Sequence, residues 1–346
     1  MRNNSLESRI GRRPAAPAAI WVCAAMLIAG LMTSCSTDRD PESFFAPQDV
    51  GKLVVDTLLI NGKALPQITV TRALSPSVAY SLDAAGEPNA IVQVQQWPSG
   101  LVFQYDATSQ VGVYAPQSNV VVLPNTLYSL RVVTAAGEVV TASTQTPPAL
   151  DISQWLLLDA TGENIRQQLA TYDELGDNVY FAPENQLTYA DGLLEARFPR
   201  PDVLGFQIGI FSLDLDSDFV IEPDFFDPED FESLERQGSS PALEVPEGDL
   251  RLPWFAIFFE GRYKIRVMAL DRNSVDWVRS LPQEGGFNFG GTIGDNFERP
   301  IFHVEGGIGL FGSASADSIG FFVRKRPELS LKANATASNA QGRRLF

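Results

Sequence analysis

Between residues 51 and 148, apolar and polar side chains alternate in short runs separated by Gly, Pro, Asn or Asp. The runs are KLVVDTLLI, QITVTRA, AIVQVQQW, LVFQYD, VGVYAP, TLYSLRVVT and EVVTASTQT. A period of two sends successive side chains to opposite faces, so each run reads as a strand with one buried face. Seven such strands, each bounded by turn residues, predict a β-sandwich of the immunoglobulin or fibronectin III type. In the last pair Tyr128, Leu130 and Val132 share a face, and AAGE at 135–138 closes a hairpin. The paired prolines of TPPALD, 146–151, end the sheet and mark a boundary.

From Ile152 the pattern changes. GENIRQQLATYDEL, 162–175, spaces Ile165, Leu169 and Tyr172 for one face of a short amphipathic helix. LLEARF and LGFQIGIFSLDL read as strands, and WFAIFFEGRYKIRVMAL as a hairpin turning at Glu260 and Gly261. DRNSVDWVRSL predicts a second helix, with Asp271 or Ser274 as N-cap and Val275, Val278 and Leu281 facing the core. PIFHVEGG and SIGFFVRK add strand. The expected fold is mainly β. An immunoglobulin/fibronectin III-like sandwich at 51–148 precedes a second β-rich domain at 149–326, which holds one or two short helices and an acidic insertion at about 214–250. The small, polar residues 327–346 have the composition of a disordered tail.

The amino terminus changes where this fold is expected to work. Arg2, Arg9, Arg12 and Arg13 precede an apolar run from Ala18 to Met32, followed by Thr33, Ser34 and Cys35. A basic region, a short apolar region and small residues before a cut site describe a secretory signal, here 1–34. Cleavage after Ser34 would make Cys35 the first mature residue, and LMTS-Cys resembles the lipobox of bacterial lipoproteins, with Met32 where leucine is usual. Lipid on Cys35 would anchor the chain to a membrane without spanning it. Residues 35–50, rich in Ser, Asp, Pro and Glu, then form a tether. Cys23 would leave with the signal, so no disulfide, cysteine metal site or thiol nucleophile is expected.

Charge narrows the partners. The chain carries a formal −16, and loss of residues 1–34 removes four arginines and one glutamate, leaving −19. Such a surface repels nucleic acid and anionic lipid.

Two segments invite a chemical reading. In LDLDSDFVIEPDFFDPEDFESLERQ, 213–237, Asp214, Asp216 and Asp218 alternate, so an extended strand would turn all three carboxylates to one face. That arrangement makes them candidate calcium ligands. The spacing is not that of an EF-hand, because Phe219 replaces the glycine and Phe225 the bidentate glutamate. Phe219, Phe225, Phe226 and Phe231 interleave with the acids and need either their own domain or a partner to cover them. Trp97, Trp155, Trp254 and Trp277 could offer stacking platforms for sugars, but lying singly among apolar runs they read as core residues.

In IFHVEGGIGLFGSASADS, 301–318, Gly307, Gly309 and Gly312 have the G-x-G-x-x-G spacing of a dinucleotide turn. No crossover helix can follow, so a nucleotide is not expected there. Glycine supplies instead a sharp turn or close chain approach, with Leu310 and Phe311 dipping into the core. His303 is the sole histidine, and no G-x-S-x-G elbow surrounds Ser313. Asp and Glu abound, but a carboxylate pair for glycoside hydrolysis requires a set separation that spacing alone does not give. The chain is therefore expected not to be an enzyme and to need no cofactor, calcium aside.

Together the lipobox, VGVY, TLYSLRVVTAAGEVVTASTQTP and RPIFHVEGGIGLFGSASADSIGFFV resemble the bacterial envelope lipoproteins of the domain of unknown function 4249 family. The likeness runs from about Leu53 to Val323. Gly306, Gly307, Gly309, Phe311 and Gly312 match the closing motif, while His303 and Val304 stand where Thr-Asn is more usual. The resemblance implies an outer-membrane lipoprotein, on its periplasmic or surface face, serving as accessory to a TonB-dependent transporter. A structural or adhesive surface lipoprotein is the alternative, and an envelope hydrolase a distant third.

Overall fold

A computed structural model describes residues 49–199, 201–220, 236–245, 248–252, 254, 257–280 and 300–326. The signal segment 1–34, Cys35, most of the tether and the tail at 327–346 lie outside the described residues, as do Phe225, Phe226, Phe231 and Leu281. Among the described residues no helix is long and apolar enough to cross a membrane.

Each of the seven alternating runs forms a strand. They are β1 (Leu53–Ile60), β2 (Ile68–Arg72), β3 (Ile91–Trp97), β4 (Val102–Ala107), β5 (Val113–Pro116), β6 (Leu127–Val133) and β7 (Val139–Gln145). The layer β1-β2-β5 faces the layer β4-β3-β6-β7, and β4–β5 pairing joins their edges. This is the fibronectin III arrangement, so the first sandwich has the predicted class. A four-residue helix α1 (Leu82–Ala85) links β2 to β3, capped by the Ser81 hydroxyl. Inward positions such as Val55, Val70, Val92, Val94, Leu130 and Val132 are fully buried in one apolar cluster. Tyr128, at the start of β6, is also buried, and its hydroxyl accepts the Leu123 amide at 3.0 Å. That contact is the tyrosine corner of such sandwiches.

The second core lies between two further sheets. A small sheet runs β14-β11-β8-β9, where β8 is Gln154–Leu158, β9 Ile165–Gln168, β11 Leu193–Arg197 and β14 Asp249–Leu252. Opposite it stand β12 (Gly205–Ser212), β13 (Gln237–Ser239), β15 (Gly261–Leu270), β10 (Gln186–Thr188) and part of β17 (Ile308–Arg324). Trp155, Leu194, Ala196 and Leu250 from the small sheet pack with Phe206, Ile208, Ile265, Val267 and Phe321 from the large one. The remaining elements are α2 (Tyr172–Leu175), two short 3-10 helices (Gly176–Phe181 and Pro183–Asn185), α3 (Arg272–Ser280) and the two-residue strand β16 (Val304–Glu305).

Three expectations need correction. Ile165 lies in strand β9 and not in a helix: it pairs with Leu158 after a turn in which Asp159 accepts from Glu163, Thr161 and Asn164. Only Tyr172–Leu175 is helical there. The segment before Gly261 is not a hairpin arm, because β15 takes β12 and β17 as its partners, while Phe258 and Phe259 are buried and Phe259 bridges to Phe219. Finally, the small residues SASADS do not separate the expected strand runs PIFHVEGG and SIGFFVRK but form the middle of β17, a strand of 17 residues.

β17 also ties the two cores together. Ile308 to Ala314 run parallel to β1, with Phe311 in the first core, and Ala314 to Val323 run antiparallel to β15, with Ile319, Phe321 and Val323 in the second. Ala314 pairs with both Ile60 and Leu270. The small β16 likewise adds to β7. Residues 304–314 therefore complete the sandwich that the alternation at 51–148 began.

Candidate functional site

The glycine segment is structural. Gly306, at φ +76°, turns the chain from β16 into β17, and a Cβ there would sit 2.3 Å from the Val139 carbonyl oxygen. Gly309, at φ +111°, lies against β1. Gly307 and Gly312 are crowded by the Leu53 carbonyl oxygen and the Ser274 hydroxyl. Gly307 and Gly309 permit close approach to β1, Gly306 to β7 and Gly312 to α3. Phe311 enters the core as expected, whereas Leu310, its neighbour on a continuous strand, points to the other face and is half-buried.

Asp271 and two hydroxyls form a buried hydrogen-bonded cluster beside the β1–β17 seam. Asp271 caps α3: its Oδ1 accepts the amides of Ser274 at 2.9 Å and Ser313 at 3.1 Å. Its Oδ2 accepts the Thr144 hydroxyl at 2.6 Å, and Thr144 and Ser313 hydroxyls are 2.6 Å apart. Of the two caps considered from sequence, Asp271 takes the role.

The three acidic residues do not share a face. β12 ends at Ser212, and a turn at Leu215 and Asp216 breaks the extended path that their alternation required. Asp214 is bound to Arg262: Oδ1 accepts from Nε at 2.9 Å and Nη2 at 2.6 Å, and Oδ2 accepts the Arg262 amide at 2.7 Å. The guanidinium holds the Asp214 carboxyl below its ordinary range. Arg236 Nη1 donates to the Asp214 carbonyl oxygen and to the Ser217 hydroxyl. Asp216 and Asp218 are exposed. No group of three or more His, Cys, Asp or Glu side chains arranged to hold a metal occurs among the described residues. The shared face expected of Asp214, Asp216 and Asp218 as calcium ligands is thus corrected, since a turn separates them and the first carboxylate, Asp214, is already paired with Arg262.

The four tryptophans separate. Trp155 is 2% exposed and belongs to the second core. Trp254 packs edge-on against Tyr189 and donates its Nε1–H to the Gly192 carbonyl, and Trp277 lies 5.6 Å from Phe302. Trp97 is 43% exposed, so its core assignment fails. β3 alternates with Val92 and Val94 inward, which turns Gln93, Gln95 and Trp97 outward.

That outward face contains a groove that sequence reasoning missed. Its volume is about 380 Å³, and it is lined by Gln93, Gln95, Ser129, Arg131, Thr141, Ser143, His303 and Glu305 among others. The register arranges the face in four rows. Ile91, Val133 and Val139 form one end; Gln93, Arg131, Thr141 and Glu305 come next; Gln95, Ser129 and Ser143 follow; Trp97 and Leu127 close the other end beside Gln145. Thr141 donates its hydroxyl to Glu305 Oε2 at 3.3 Å, and Gln93 Nε2 donates to Gln104 Oε1 at 3.1 Å. Arg131 is exposed and has no ion pair among the described residues. His303 Nε2 meets Asp276 Oδ2 at 2.8 Å, which holds the ring at the groove margin. The alternation of β3, β6 and β7 was visible in the sequence. What was not visible is that β16, with His303 just before it, brings Glu305 to the same sheet edge from the far end of the chain.

A family model described as "Domain of unknown function (DUF4249)" matches residues 40–319. The chain is also similar to a crystal structure of chicken CNTN1 FN1-FN3 domains, with 13% identity, 81% of this chain and 69% of that chain covered, and a TM-score of 0.22. No curated protein matches the chain.

Proposed function

The chain belongs to the DUF4249 family, and on that premise we propose that it is a lipid-anchored, non-enzymatic binding or accessory protein of the outer membrane, associated with a TonB-dependent transporter. The observation that carries the binding role is the groove on the first sandwich. It gathers hydrogen-bonding side chains from β3, β6, β7 and β16 around an arginine that has no ion-pair partner among the described residues. A rigid sheet face of this kind positions donors and acceptors well. The anchor rests on Cys35 and the lipobox-like residues before it. From there the tether leads to β1, the strand at the centre of the seam.

Affinity purification of the tagged full chain from detergent-solubilised outer membranes tests this role. Wild-type protein should fractionate with the outer membrane and retain a β-barrel transporter. Cys35→Ala should release the chain from the membrane. A Cys35→Ala protein that stays membrane-bound, or a repeated failure to retain any transporter, would overturn the anchor or the association respectively.

A further inference from the structure

We infer that the groove on the outward face of the first sandwich binds a neutral oligosaccharide, one ring stacking on Trp97 and the neighbouring hydroxyls meeting Gln95, Gln93 and Arg131. This deepens the binding role proposed above and rests on it.

The order of rows argues for a small polar ligand over a docked protein. Protein interfaces place apolar residues at the centre and polar ones at the rim. Here the order is largely inverted: amide, hydroxyl, guanidinium and carboxylate groups fill the two central rows of β3, β6, β7 and β16, with Val102 of β4 beside Gln95 the apolar member, and the larger apolar residues stand at the ends. The volume, about 380 Å³, falls in the range of small-molecule sites.

The chemistry of the floor then selects the ligand class. Amides and hydroxyls each donate and accept, so Gln93, Gln95, Ser129, Thr141 and Ser143 suit a ligand whose groups also do both. Hydroxyls are such groups. Side chains of Gln95, Ser129 and Ser143 have no hydrogen-bond partner among the described residues and present free capacity to the groove. Charge selects against ions. Arg131 and Glu305 occupy one row on either side of Thr141, so an anion meets Glu305 and a cation meets Arg131. The strongly acidic chain disfavours anions further. A neutral polyol meets no such opposition.

Trp97 supplies what a simple polyol would not use. Its indole is exposed on the same face as Gln95, two residues along β3 and therefore about 7 Å away. Gln93 is a further 7 Å or so along. The apolar face of a pyranose covers an exposed indole, while the equatorial hydroxyls reach amides beside it. The distance from Trp97 to Gln93 exceeds one ring, which favours a chain of linked sugars.

Calorimetric titration of the detergent-purified full chain with maltohexaose, cellohexaose, mannohexaose and xylohexaose tests the inference. At least one should bind. Trp97→Ala and Arg131→Ala should each weaken that binding tenfold or more with unchanged melting, and Trp97→Phe should restore part of it. Binding of none of the four, or binding indifferent to both alanine variants, would overturn the inference. Loss of a co-purifying transporter on Trp97→Ala, without saccharide binding by wild type, would assign the face to protein contact: the transporter association stands and the saccharide site falls. Saccharide binding without any retained transporter gives the opposite result.

Discussion

Gly309 lies beside Val55 in the parallel β1–β17 pair, and a Cβ on it would fall 2.1 Å from the Val55 carbonyl oxygen. Its φ of +111° is one that side chains rarely adopt. Two separate constraints therefore require glycine at this position. The neighbouring atom is backbone of the strand that pairs with β17, so it cannot rotate away as a side chain would.

Gly309→Val should destabilise the protein by roughly 3–5 kcal/mol, combining backbone strain with overpacking. Gly137→Ala is the informative control: its φ is also positive, +85°, but no atom lies within 4 Å of the added Cβ. That change should cost only about 1 kcal/mol. Denaturant unfolding of both variants checks the difference, and equal losses would show that the contact with Val55 contributes nothing.

The tyrosine corner gives a smaller effect. Tyr128→Phe keeps the ring in the core but removes the acceptor of the Leu123 amide. A loss of about 1–2 kcal/mol is expected, with unchanged denaturant dependence because the exposed area on unfolding hardly alters. Urea titration resolves a change of that size.

The first sandwich was legible because each strand has one solvated face, so its alternation survives in the sequence. Tyr128, Leu130 and Val132 could be placed on one side without any structure. β17 was not legible, and the reason lies at its middle. Ser313, Ala314 and Ser315 are buried, Ala314 in a small cluster with Leu270 of β15 and Val275 of α3. Ser315 Oγ accepts the Leu150 amide at 2.7 Å, and Ser313 joins Asp271 and Thr144. Buried hydroxyls satisfied by distant partners look, in sequence, like a polar loop. The acidic run failed for another reason. Three alternating aspartates suggest one face only while the strand continues, and Arg262, 48 residues from Asp214, ends that condition by claiming its carboxylate. The groove needs the register of four strands before Gln93, Arg131, Thr141 and Glu305 become a row.

The Asp214–Arg262 pair sets a pH dependence. The folded carboxyl titrates below its ordinary value of 3.8 because Arg262 donates to it. A depressed folded value stabilises the protein above the unfolded value, and that contribution disappears as pH falls through the folded one. Asp214→Asn should therefore lower stability at pH 7 by about 0.5–1 kcal/mol, the pair being partly solvated. The gap between variant and wild type should stay constant down to about pH 5 and narrow below about pH 4. Thermal melts at pH 7 and pH 3 measure it, and a gap that widens in acid would contradict the pairing.

β17 makes the strongest claim about the whole molecule. Because Ala314 pairs with Ile60 on one side and Leu270 on the other, the second core cannot open fully without loosening the strand that completes the first. Ile265 is fully buried in the second core and sits opposite Ile319 of β17. Truncating it to alanine should cost about 2–5 kcal/mol. If the cores unfold as one, hydrogen exchange of the slowest amides in β3 and β6, which Ile265 does not touch, should accelerate by the same factor as those in β8 and β11. Two independent sandwiches joined by a passive linker would show acceleration in β8 and β11 alone. The long strand, shared in both registers, argues for the common response, and mass-spectrometric exchange in mild denaturant distinguishes the two patterns directly.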